Sequence, residues 1–243
     1  MNITKFYAIA IVLLFLFGCQ SETQEDISQK QANYLFESAK KDIEHKKYKT
    51  AVKSLEDIQI NYPQYAEYDL LLYYLAKSQF ENKDYVQAQD NAHEYITSYP
   101  ATSLTEEMYY IEAKSQFLIG DDWLLGKFLS ARHLRDTDFL EKSKVNFKKF
   151  LKKYPNSKYK HDVNESLIKI EDILATSELE IAEFNYRHKA YLGAIHRAET
   201  VIKQYPNSKQ YQQAIKIMDN SFDEIGLKEE YKELYKLLQS AKA

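Results

Sequence analysis

Apolar residues recur along this chain at the offsets of one helical stripe, and the stripe is repeated four times. Counting toward each Tyr of a Tyr-Pro pair, offsets 0, 3, 7, 10 and 14 give Tyr48, Ala51, Leu55, Ile58 and Tyr62. The same offsets give Tyr85, Ala88, Ala92, Tyr95 and Tyr99; Leu140, Ser143, Phe147, Phe150 and Tyr154; and Tyr191, Ala194, Ala198, Val201 and Tyr205. Residues so spaced share one helix face. A small residue (Ala51, Ala88, Ser143, Ala194) follows the first position by one turn, where a second helix can approach closely. The Pro after each stripe ends the helix, because the residue before it is biased away from the α region. Thr102-Ser103, Asn156-Ser157 and Asn207-Ser208 follow as cap candidates for the next helix.

Twelve residues before three of the small positions stand Ala39, Ala76 and Ala182, each in a preceding helical segment. Paired small residues with a closing Pro resemble the tetratricopeptide consensus. The preceding helices read as Gln31–His45, Glu67–Asn82 and a long one from near Ser157 to His188, which no Gly or Pro interrupts. A last pair is expected from Gln210–Ile225, a turn at Gly226, and a helix carrying Tyr231, Leu234 and Leu238. The third unit is irregular. Its first helix reads as Leu104–Ile119 around Ala113, which makes Gly120–Asp138 an insertion with Trp123, Phe128, Arg132, His133 and Arg135. Alternatively Ala131, also twelve residues before Ser143, is the small residue of that helix. Trp123 is then either a pin for the loop or a partner anchor. The expected fold is an all-α, TPR-like solenoid of about ten helices in five helical hairpins.

The N-terminus follows other rules. Lys5 precedes Phe6–Phe17, an apolar run of 12 residues that is too short for a good membrane span. Its length and order are those of a secretory signal. Gly18-Cys19 resembles a lipobox, and Cys19 is the single Cys of 243 residues, so no internal disulfide is possible. An ordinary signal with an incidental Cys is the plainer alternative. The expected organisation is a signal peptide over residues 1–18, a lipid on Cys19, a flexible polar tether over 19–30, and a helical domain over 31–243. Gln20, where an Asp resembles an inner-membrane retention signal, favours the outer membrane. Several acyl chains make a stable anchor where one does not.

Composition adds bounds. A formal charge of −3 leaves no electrostatic footprint for nucleic acid. Only 5 Gly and 4 Pro against 28% charged residues suit long helices. No nucleophile elbow, P-loop or dinucleotide-binding glycine pattern is present. The six His lack zinc-protease spacing, so no metal, cofactor or enzymatic activity is expected. A cell-wall hydrolase would need paired carboxylates or a nucleophile with its base. Tyr62, Tyr65, Tyr68, Tyr73 and Tyr74 are too many for one helix face. They are core residues or, in part, lining for a groove that takes an extended peptide.

The segment Phe147–Asp162, FKKFLKKYPNSKYKHD, is similar to the F-x-x-(L/F)-(V/L)-x-x-Y-P-N-S-x-Y-x-x-D stretch of the BamD (YfiO/ComL) family. Ile181–Pro206 strengthens the resemblance with Ala182-Glu183-Phe184, Arg187, Ala190-Tyr191, Ala194, Arg197 and Tyr205-Pro206. The resemblance implies a non-catalytic, periplasm-facing outer-membrane scaffold in the β-barrel assembly (BAM) complex, which inserts and folds outer-membrane proteins. It implies a BamA-like barrel insertase bound through a POTRA domain, contact with unfolded outer-membrane proteins, and accessory Bam lipoproteins as partners. Arg197, and after it Arg187 and Glu183, become candidates for the partner contact; exposed helix-surface charge is the plainer reading. Two stretches depart from the family. Glu112-Ala113 stands near a frequent Arg-Gly, and Asp136-Thr137-Asp138-Phe139 replaces a D-R-D-P-like stretch. Other envelope TPR lipoproteins, such as a secretin pilotin or a cell-division adaptor, are the alternative.

Overall fold

The computed structural model describes residues 24–127, 137–227 and 229. Nine helices are described: α1 Gln24–Glu44, α2 Tyr48–Asn61, α3 Tyr68–Glu81, α4 Tyr85–Ser98, α5 Thr105–Lys127, α6 Asp138–Lys153, α7 Lys160–Arg187, α8 Tyr191–Gln204 and α9 Tyr211–Glu224. Among the described residues there are no strands. Consecutive helices pack as antiparallel hairpins, which makes the chain an all-α, TPR-like solenoid. The signal, Cys19, residues 128–136 of the insertion and the expected last helix lie outside the described residues.

The repeat stripe acts as the sequence predicts. Ala51, Ala88, Ser143 and Ala194 are fully buried, as are Ala39, Ala76, Ala113 and Ala182 on the preceding helices. At Ser143 the hydroxyl donates to the Ala113 carbonyl at 2.7 Å, which satisfies a polar atom at the small-residue contact. The four pre-Pro tyrosines share one backbone conformation. Tyr62, Tyr99, Tyr154 and Tyr205 have φ of −131°, −131°, −127° and −131° with ψ between 53° and 67°. Each donates its N–H to the carbonyl four residues back and then leaves the helix. Ser157 bends the next turn by accepting from the Tyr159 N–H at 3.0 Å, so it acts before α7 rather than as its cap.

The turns within the hairpins repeat as well. Lys46, Lys83 and Lys189 take positive φ (58°, 68° and 61°), and Gly226 takes 75° at the turn predicted there. In each, the next residue donates five positions back (Lys47 to Asp42, Asp84 to Gln79, Ala190 to Asn185, Leu227 to Phe222), closing a Schellman cap.

Two boundaries differ from expectation. Helix α1 begins at Gln24, so residues 24–30 are helical rather than tether. Gln29 explains part of this: its amide donates to the Gln64 carbonyl at 2.7 Å and accepts from the Ala66 N–H at 3.3 Å, tying the first turns to the α2–α3 loop. Helix α5 runs past Gly120 to Lys127, so the insertion begins as a continuation of the helix. Gly120 lets α6 approach, since a Cβ there would lie 2.9 Å from Leu140 Cδ2.

The first helices of the hairpins touch one another in series, α1 with α3, α3 with α5, α5 with α7 and α7 with α9. Among the described residues no comparable contact links α2, α4, α6 and α8 to one another. The odd helices therefore form the tighter inner side and the even ones the outer side. The core has two clusters. One surrounds Phe36, Leu55, Ile58 and Leu71 in the first hairpins; the other runs from Leu72 to Met218, and Tyr68 and Tyr74 of α3 pack against both. No described helix is long and apolar enough to cross a membrane.

Candidate binding surfaces

The inner side carries a chain of polar and aromatic contacts across α3, α5 and α7. Tyr73 of α3 donates its hydroxyl to Glu107 of α5 at 2.7 Å, and the Lys77 ammonium lies 3.1 Å from the same carboxylate. Further along α5, Tyr110 donates to Asp162 of α7 at 3.0 Å. Lys114 donates to Asp162 at 2.8 Å and to Ser166 at 2.8 Å. The Tyr110 and Tyr159 rings stack with centroids 4.1 Å apart. Ser157 donates to Glu106 at 2.6 Å.

The electrostatics agree with this pairing. Burial by itself would push the Glu107 carboxyl up, but the hydrogen bond from Tyr73 and the Lys77 charge outweigh it and hold it below the usual range. Burial first, and then Glu107, Asp162 and Glu107 respectively, push the phenols of Tyr73, Tyr110 and Tyr159 far up. All three therefore stay neutral donors. The network satisfies itself and braces neighbouring hairpins.

This placement revises the tyrosine groove. Tyr65 and Tyr73 are buried, at 3% and 7% exposure, and do not line an open groove. They belong to a run of rings, Tyr65–Phe36–Tyr74–Tyr73–Tyr95, with successive centroids 5.1 to 6.4 Å apart. The apolar surface offered by hairpins one and two draws them in, and burial pushes the Tyr65 phenol up to about 12. Tyr62, Tyr68 and Tyr74 are half-buried. Tyr68 reaches Glu94 of α4 at 3.5 Å. Tyr34 of α1, three-quarters exposed, was not singled out by its spacing; only its position off the Ala32–Phe36–Ala39 stripe marks it.

Arg197, Arg187 and Glu183 do not form one site. Arg197 Nη1 donates to both oxygens of Glu178 at 2.9 and 3.1 Å, so α8 is tied to α7. The pair lines a cleft of about 210 Å³ with Glu141, Leu174, Ile181 and Tyr205. Tyr205 donates to Glu141 at 3.2 Å across the lining. Glu183, half-buried, and Arg187, exposed, lie 3.9 Å apart, where such a pair contributes little. They line a different depression, of about 320 Å³, with Tyr186, Lys216, Ile217 and Asn220. At 3.6 residues per turn, Glu178 and Arg187 face nearly opposite sides of α7. The sequence stretch that joins these residues hid this, because helix phase separates them. Among the described residues no group of His, Cys, Asp and Glu is placed to hold a metal ion.

Comparison with known proteins accords with this architecture. The chain is similar to the outer membrane protein assembly factor BamD of Haemophilus influenzae, 32% identical over 108 residues, which are 44% of this chain and 41% of that protein. It is similar to the protein of the same name from Vibrio cholerae, 29% identical over 108 residues, 44% of this chain and 45% of that one. A third, from Neisseria meningitidis serogroup A, is 28% identical over 80 residues, 33% of this chain and 30% of that protein. The matched stretches thus span less than half the length of each relative. The family model described as YfiO, outer membrane lipoprotein, matches residues 28–237, from the first turns of α1 to beyond α9. The chain belongs to the YfiO family of outer membrane lipoproteins.

Proposed function

We propose that this chain is a non-catalytic scaffold of the β-barrel assembly machinery, held at the outer membrane by a lipid on Cys19 and facing the periplasm. The observation that carries this reading is the family match over nearly the whole helical body. Relatives named as outer membrane protein assembly factors support it. In this role the chain takes part in inserting and folding outer-membrane proteins. The C-terminal hairpins, with the two depressions on either side of α7, hold a POTRA domain of a BamA-like barrel. Arg197 presents its remaining guanidinium donors at the mouth of the first depression. Extended segments of unfolded outer-membrane proteins pass along the inner side near Tyr62, Tyr68 and Tyr74.

The test is affinity purification of the tagged chain from detergent-solubilised membranes. A barrel insertase with POTRA domains is expected to travel with it. A secretin or a division complex in its place would overturn the function and leave the fold standing.

A further inference from the structure

Helix α6 and the turn after it concentrate positive charge. Residues 138–160 hold Lys142, Lys144, Lys148, Lys149, Lys152, Lys153, Lys158 and Lys160 against Asp138 and Glu141, a net of +6 within a chain of −3. Leu140, Ser143, Phe147 and Phe150 turn inward. The other side is therefore outer surface, with Lys148, Lys149, Lys152 and Lys153 arranged around Val145, which is 64% exposed.

Few of these cations are neutralised. Lys142 pairs with Asp138, and Lys148 reaches Glu171 only at 3.9 Å. Lys149, Lys152, Lys153, Lys158 and Lys160 have no carboxylate within pairing distance among the described residues. Lys149 and Lys153 instead lie over the Tyr109 ring, at 5.2 and 4.3 Å. A ring steadies a cation there without cancelling its charge.

We infer that the outer face of α6 is a second membrane contact, in which these lysines meet the phosphate groups of anionic phospholipids and Val145 faces the interface. The inference rests on the membrane attachment proposed above. Clusters of four to eight lysines beside a membrane bind anionic headgroups through the surface potential, within about one Debye length. A bilayer is the anionic surface next to which an outer membrane lipoprotein sits. Anchoring at the N-terminus alone would leave the body free to swing; a second contact on hairpin three would set its orientation.

The test uses the full-length protein mixed with phosphatidylcholine vesicles, with or without phosphatidylglycerol. Floated protein is acetylated, and the rate at each lysine is read by mass spectrometry. Lys148, Lys149, Lys152 and Lys153 should react about tenfold more slowly on the anionic vesicles, since each charge adds to the attraction. High salt should abolish the difference, and Lys46 and Lys83 should not share it. In a variant combining Lys148→Gln, Lys149→Gln, Lys152→Gln and Lys153→Gln, with melting checked by circular dichroism, Lys158 and Lys160 should lose their protection. Equal rates on both vesicles with normal flotation would overturn the inference and spare the anchor. Failure to float on either would overturn both. Protection in native membranes but not on pure lipid would assign the face to an acidic protein surface and overturn the lipid assignment.

Discussion

Two features are carried by single residues, one of them repeated from hairpin to hairpin and the other unique to α8. The first is the left-handed residue of the Schellman turn, which is Gly at 226 but Lys at 46, 83 and 189. A side chain in that conformation costs roughly 1 kcal/mol that Gly avoids. Lys83→Gly should therefore stabilise the fold by up to about 1 kcal/mol, read by urea denaturation. An unchanged midpoint would mean the turn is not held left-handed in solution. The second is Arg197. Its pairing with Glu178 means that Arg197→Glu disturbs the α7–α8 contact as well as any partner. Because the pair is partly exposed, the loss in stability should stay within about 1 kcal/mol. The exchange Arg197→Glu with Glu178→Arg separates the roles. It should restore the melting temperature while partner affinity stays low; recovery of both would make Arg197 a structural residue only.

Elements fit through close approaches that a single atom can spoil. Helices α5 and α6 meet at Gly120, beneath Leu140. Gly120→Val should cost about 1–3 kcal/mol by overpacking and loosen α6, seen as faster amide exchange across 138–153. Between hairpins, Glu107 is the shared acceptor. Its depressed carboxyl pKa contributes stability that is fully present above the ordinary value of 4.5 and is lost as pH falls through the folded value. Glu107→Gln should flatten the fall in melting temperature on acidification below that ordinary value. An acid limb identical to that of the native chain would show that the brace forms without the charge.

At the scale of the whole molecule, the chain is a row of hairpins, each buried against its neighbours. Cys19→Ala should leave the helical body folded, with an unchanged circular dichroism spectrum, and release it from the membrane fraction. Unchanged partitioning would sink the lipid anchor and turn attention to the basic face of α6. Residues 24–30, expected from their polar composition to belong to a tether, are helical in α1. Polar composition marks a segment that needs no core, yet the same residues extend a helix when a partner such as the Gln64 carbonyl is within reach.

The amino-acid sequence by itself determined the element order, the four Tyr-Pro helix ends and the buried small residues. It also carried the family resemblance. These are local matters: a 3.6-residue period, a Pro that restricts its neighbour and an Ala where helices touch all act within one hairpin. The tertiary structure decided which tyrosines are core, since Tyr65 packs on Phe36 of α1 and Tyr73 on Tyr95 of α4. It turned Glu178, the partner of Arg197, and Arg187 to nearly opposite sides of α7, and it brought Glu107 and Asp162 to donors on neighbouring helices. Those pairings depend on how one hairpin is stacked on the next, a relation set by packing over tens of residues that no local pattern encodes.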